Sequence, residues 1–199
     1  MLLSRRLLLA AVATAPALAR AQSDDPRMAE RSIGNSDAKT TVNEYFSLTC
    51  VHCAAFQKET FPQVKEKLID TGRIRYVWRD YPLDQVALMA AMVARALPAE
   101  RYEPFITALL TTQDRWAFAR NINPTEELAK MAALAGMPRA TFDSTIRDTG
   151  LKQAILAEQD EGEKKYGVNS TPSFVINGKV TAGAVGYDAF AKAVEDAST

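Results

Sequence analysis

"TCVHCAAFQKET", Thr49 to Thr60, holds both cysteines of the chain, Cys50 and Cys53, and its one histidine, His52. Three chemistries gather thiols and an imidazole this closely: a metal site, a structural crosslink and a redox-active dithiol. A structural zinc site usually takes four Cys or His ligands. Here Cys50, His52 and Cys53 are the whole supply, and the adjacency of His52 and Cys53 hinders all three from facing one ion. A disulfide across two intervening residues closes a very short loop, and in the chain-entropy view short loops stabilise least. The context has to decide for or against the dithiol.

Working outward, "TTVNEYFSL", Thr40 to Leu48, alternates β-formers with polar residues and predicts a strand that runs into the motif. "AAFQKETFPQVKEKLID" then predicts a helix, kinked or broken near Phe61 by Pro62 and ended by Thr71-Gly72. "RIRYVWRDYPL" gives a second strand from Arg73 to about Arg79. Two strands joined by a helical crossover imply parallel pairing. A C-x-x-C pair beside a β-α-β pattern reads as a thioredoxin-like motif. At the start of a helix, Cys50 meets unpaired backbone N–H groups and the positive end of the helix dipole. Both favour the thiolate, the reactive form. Cys53, one turn further in, is expected to be shielded and to attack a mixed disulfide from inside.

The middle of the chain is helical. Val86, Met89, Met92, Val93 and Leu97 recur at helical spacing, as do Phe105, Ile106, Leu109 and Leu110, and then Leu128, Met131 and Leu134. Pro138 opens a short helix, and a long one runs from Leu151 to Tyr166 before Gly167. Such apolar stripes read as core. "SFVINGKVTAG" then signals a β-hairpin turning at Asn177-Gly178, and "YDAFAKAVEDA" an amphipathic helix. The fold class expected is α/β and thioredoxin-like, with a large all-helical insertion between a β-α-β half and a β-β-α half. The boundaries expected are 40–83 and 167–199 for the thioredoxin-like domain and 84–166 for the insertion, after a flexible leader at 22–39.

The first 21 residues, "MLLSRRLLLAAVATAPALARA", pair Arg5 and Arg6 with an apolar run and end in small residues. That is the pattern of a secretory signal peptide, and the run falls short of the roughly 20 residues of a spanning helix. Its removal takes away Arg5, Arg6 and Arg20, leaving 21 basic and 24 acidic residues and a net charge of −3. The expectation is a mildly acidic protein in an oxidising compartment, and with no basic run, no nucleic-acid footprint.

"EYFSLTCVHC", "YVWRDYPL" after the second strand and "VNSTPSFVINGKVTAGAVGY" resemble the DsbA-like thiol:disulfide oxidoreductases of the bacterial cell envelope. The match covers most of residues 40–199. The resemblance implies that Cys50 is the nucleophile and Cys53 the resolving cysteine. Glu44, six positions before Cys50, would be a buried acid that exchanges a proton with Cys53, with Arg79 or Lys58 as its suggested charge partner. Thr171 and Pro172, the latter in a cis peptide, would present backbone to an extended substrate, much as an added strand does. Val51 stands where the best-known members carry proline. The redox-active disulfide itself would be the working group, with no separate cofactor.

His52 has a quantitative case. The reactive thiol titrates near ~3.5 in DsbA and ~7 in thioredoxin, a gap of roughly 4.8 kcal/mol. A helix terminus supplies at most about 2 kcal/mol, and both proteins have one. The residues between the cysteines are the nearest source of the difference, so the imidazole is expected to tune Cys50. A stabilised thiolate makes the disulfide more oxidising, by about 100 mV for that gap.

The function expected is a periplasmic, monomeric dithiol oxidase. It would donate a disulfide to reduced secreted proteins and be reoxidised by a quinone-coupled membrane partner of DsbB type. Three alternatives remain open: a reductase or isomerase in the same compartment, a chaperone-like peptide-binding module with a vestigial dithiol, and a glutathione-dependent transferase.

Overall fold

The computed structural model describes residues 25–198, so the signal-peptide reading of residues 1–21 lies outside the described residues. Among them, five strands form one mixed sheet in the order β1-β3-β2-β4-β5: β1 Arg31–Gly34, β2 Thr40–Phe46, β3 Ile74–Asp80, β4 Ser173–Ile176 and β5 Lys179–Ala182. β2 and β3 pair in parallel, with Val42 opposite Tyr76 and Glu44 opposite Trp78. Both are central strands, and Val42, Tyr45 and Phe46 of β2 and Ile74, Tyr76, Val77 and Trp78 of β3 are buried.

The crossover starts as α1 (Val51–Glu59), breaks at Thr60, resumes as α2 (Phe61–Val64) and unwinds into a π-helical turn over Lys65–Ile69. Pro62 sits in the first turn of α2, where a missing N–H costs no helical bond. Gly72, at φ +73°, turns the chain into β3.

Six helices of the described chain separate β3 from β4: α3 (Gln85–Ala96), α4 (Ala99–Thr111), α5 (Gln113–Trp116), α6 (Pro124–Leu134), α7 (Arg139–Thr145) and α8 (Thr149–Tyr166). Asp84, Asn123 and Asp148 cap α3, α6 and α8 by accepting backbone N–H groups. Gly167, left-handed at φ +70°, ends α8. α9 (Tyr187–Ser198) closes the fold after a hairpin whose Asn177 (φ 46°) and Gly178 (φ 89°) both turn left-handed, as a type I′ turn requires. The thioredoxin-like fold with its helical insertion is as the sequence predicts. Among the described residues no helix is long and apolar enough to cross a membrane.

On one face of the sheet an aromatic core joins the crossover to α9. Phe56 meets Phe174 at 4.7 Å, Phe174 stands edge-on to Phe190 at 5.2 Å, and Tyr76 lies edge-on to both Phe61 and Trp78. On the other face α8 comes so close that a Cβ on Gly162 would collide with the Tyr45 ring.

The leader differs from its expected looseness. Arg31–Gly34 is an edge strand, antiparallel to β3, with Arg31 opposite Trp78. Its one large apolar residue, Ile33, gives no alternation to read, so its structure is imposed from outside. β3 offers an open edge, and Glu30 pairs with Arg75 at 2.6 Å and Arg79 at 2.7 Å. Arg27 is tied to Asp148 at 2.7 Å, and Arg95 donates to the Ala29 carbonyl.

Candidate functional site

β2 ends at Phe46, two residues earlier than the sequence pattern suggests, because Ser47–Cys50 forms a turn closed by the Cys50 N–H on the Ser47 carbonyl. The turn delivers Cys50 to the N-cap of α1 with extended backbone. Its thiol is held down to about 5. The Cys53 thiol donating to the Cys50 sulfur is the largest cause. Burial opposes it, while Thr171 and the backbone N–H groups of Cys53 and His52 add to it. As a thiol, Cys50 donates from Sγ to the Thr171 carbonyl at 3.3 Å. The Thr171 hydroxyl, buried and otherwise unpartnered, is the atom able to turn toward the thiolate.

Cys53 is fully buried, and burial pushes its thiol well above the ordinary range, with Cys50 and Glu44 adding to the rise. The two sulfurs therefore differ in kind: the contacts of Cys50 favour its thiolate, and the burial of Cys53 favours its thiol.

Glu44, 1% exposed, lies in β2 beneath α1. Burial pushes its carboxyl up to about 8; the Tyr76 hydroxyl, donating to Oε2 at 2.9 Å, works against that rise, and the Cys50 charge adds to it. The suggested charge partners do not reach it. Arg79 lies opposite Tyr45 in the parallel register, one residue out of phase with Glu44, and so serves the other face, where it meets Asn43, Glu158 and Glu30. Lys58 is on the exposed side of α1.

The Thr171–Pro172 peptide is cis, with Thr171 against the reactive sulfur. Val51 and His52 are exposed. The backbone N–H of His52 faces the Cys50 sulfur and helps to lower its thiol.

Three contributors lack any local sequence signal. Gln113, at the start of α5, donates from Nε2 to the carbonyls of Leu48 (2.8 Å) and Cys50 (3.0 Å). Thr49 donates to Asp84 at 2.6 Å, so the cap of α3 also holds the turn. Tyr76 is the third. Leu83 and Phe118, both more than half exposed, sit on segments that adjoin this turn, as does Val51. Among the described residues no group of His, Cys, Asp or Glu side chains is arranged to hold a metal ion.

Residues 27–196 match the sequence profile of the thioredoxin family, in its group Thioredoxin_4. The chain belongs to that family, among its DsbA-like members. The crystal structure of a Cys-to-Ala variant of alpha-DsbA1 from Wolbachia pipientis superposes with a TM-score of 0.77 at 30% identity, over 86% of this chain and 91% of that one. A protein of Rickettsia felis, named provisionally as a protein-disulfide oxidoreductase, is 31% identical over 83% of this chain. A counterpart from Rickettsia prowazekii is 32% identical over the same share. The chain spans about three-fifths of the length of these Rickettsia relatives, 59% and 60%. In this DsbA-like fold, dithiol, buried acid and cis-proline come from four segments that meet at one end of the sheet: the turn after β2, α1, β2 itself and the entry to β4.

Proposed function

We propose that the protein is a thiol:disulfide oxidoreductase that donates the Cys50–Cys53 disulfide to reduced proteins. The observation that carries this reading is the asymmetry of the two sulfurs: Cys50 stands at the N-cap of α1 beside the cis Thr171–Pro172 peptide with its thiol held down, whereas Cys53 is fully buried with its thiol held up. A thiolate at the helix N-terminus is a good leaving group and stabilises the reduced dithiol.

In the donating direction, a client thiolate attacks Cys50 Sγ. The Cys50–Cys53 bond breaks, and Cys53 leaves as a thiolate and takes a proton from Glu44. A second client thiolate then attacks the client sulfur of the mixed disulfide, and Cys50 departs as a thiolate. The client loses two electrons and gains a disulfide; the protein ends as the dithiol. Glu44, pushed up to about 8, still holds its proton at neutral pH and can supply Cys53. Thr171 and Pro172 offer backbone to an extended client segment, and exposed Val51, Leu83 and Phe118 suit apolar side chains of unfolded chains.

The compartment proposed is the periplasm, on the signal-peptide pattern of residues 1–21. The oxidant that restores the disulfide is proposed to be a quinone-coupled membrane protein of DsbB type, and the working form a monomer. The test is oxidative refolding of a reduced multi-cysteine protein. The wild type should turn over, Cys50→Ser should do nothing, and Cys53→Ser should accumulate a mixed disulfide with the client. Refolding assisted equally by Cys50→Ser would make the protein a chaperone-like binding module instead.

A further inference from the structure

Glu44 is sealed from solvent and has no cation beside it among the described residues. The groups that face it are Tyr76 from β3 and the two thiols from the first turn of α1, while β4 places the apolar Phe174 opposite it in register. Tyr76 is itself fully buried, fixed edge-on against Phe61 and Trp78. Its hydroxyl therefore has one polar use, the 2.9 Å bond to Glu44 Oε2.

Resting on Glu44 as the proton partner of Cys53, we propose that Tyr76 is the positioning residue that makes this carboxyl a reversible proton carrier. The chemistry follows from the direction of the bond. A phenol donating to Oε2 makes that oxygen the acceptor, so a proton carried by the carboxyl belongs on Oε1. When Glu44 gives up its proton, the same phenol remains as the donor that steadies the anion. A lysine or arginine in this place would favour the ionised carboxylate more strongly than a neutral donor does and so shift the balance away from the protonated form. A fully apolar neighbour would leave the buried anion unsupported and keep the proton bound. A neutral donor lies between these limits, and burial of Tyr76 well above its ordinary range keeps the phenol from losing its own proton.

The test isolates the step in which Cys53 resolves a mixed disulfide. Reduced protein is mixed with an aryl disulfide that couples to Cys50, and release of the second chromogenic thiolate by Cys53 is followed from about pH 6 to about pH 10. That release is intramolecular, and its leaving group is ionised throughout. The wild type should show an inflection set by Glu44, which Glu44→Gln removes. Tyr76→Phe keeps the packed ring and should move the inflection up by about one pH unit or more, since a bond to the charged form is lost. An inflection abolished by Glu44→Gln but unmoved by Tyr76→Phe would overturn the role of Tyr76 and leave that of Glu44 standing. An inflection unmoved by Glu44→Gln would overturn both.

Discussion

Gln113 donates to the carbonyl of Cys50 at 3.0 Å, and so the helical insertion holds the turn that presents the reactive thiol. The same nitrogen reaches the Leu48 carbonyl at 2.8 Å, and the residue is buried. Replacing Gln113 with Ala removes the side-chain donor from the Leu48 carbonyl, while the Cys50 carbonyl keeps the Ala54 N–H. The expected loss is about 1–3 kcal/mol of stability by denaturant unfolding. Because the turn also sets the Cys50 sulfur against the first N–H groups of α1, the thiolate should become less favoured in this variant, as read by the pH dependence of Cys50 alkylation. A stability loss with an unmoved thiol titration would confine Gln113 to scaffolding.

The thiol titrations predict a pH dependence with a definite sign. Cys50 is depressed in the folded dithiol to about 5, whereas an unfolded cysteine titrates near ~8.5. The stabilising contribution is therefore fully present above about pH 8.5 and is lost as pH falls through about 5. Alkylation of the native protein should show a midpoint near pH 5 at Cys50, with Cys53 unreactive at neutral pH. The stability of the reduced protein relative to the oxidised protein should rise between those limits, since the disulfide does not titrate.

Glu44 acts in the opposite sense. Its folded carboxyl is raised to about 8, against ~4.3 when unfolded, so its stabilising contribution is lost as pH rises from about 4 to about 8. Glu44→Gln, which still accepts from Tyr76, should be more stable than the wild type at pH 7 by on the order of 2–4 kcal/mol. It should show no such gain at pH 4. Denaturant titrations of both proteins at the two pH values decide this.

Arg95, with no exposed side-chain surface, bonds Asp80 at 2.5 Å and Glu158 at 2.9 Å and so ties β3 to α3 and α8. Arg95→Ala leaves the buried Asp80 carboxylate without its cation and should cost about 3–5 kcal/mol, while Glu158, only partly buried, keeps Arg79. The folded fraction should keep its thiol titration, because none of the causes that set Cys50 involves this cluster.

How far the sequence carried depends on the range of each interaction. Cys50 and Cys53 were readable because the motif, the preceding strand and the following helix are contiguous. The Asn177-Gly178 turn and the Gly167 stop were readable because each is a local demand for left-handed backbone. Glu44 was placed near the thiols by the family resemblance, and its partner could not be read at all: Tyr76 lies 32 positions away and was indistinguishable from any other core aromatic. Gln113 is 63 positions from Cys50 and sits in a stretch that reads only as helix. β1 was hidden for a related reason, since an edge strand of four residues is specified by its neighbour more than by its own pattern. His52 was the conspicuous residue of the motif, yet the part of it that acts on Cys50 here is a backbone N–H that any residue but proline would supply.

The reduction potential of the Cys50–Cys53 couple, measured by equilibration with glutathione buffers at pH 7, tests the central claim most directly. A Cys50 thiol at about 5 lies between those of DsbA and thioredoxin, at ~3.5 and ~7. The account therefore predicts a couple more oxidising than about −200 mV, on the side of protein disulfide isomerase (about −180 mV) and DsbA (about −120 mV). A value near about −270 mV, that of thioredoxin, would contradict disulfide donation and make the protein a reductase.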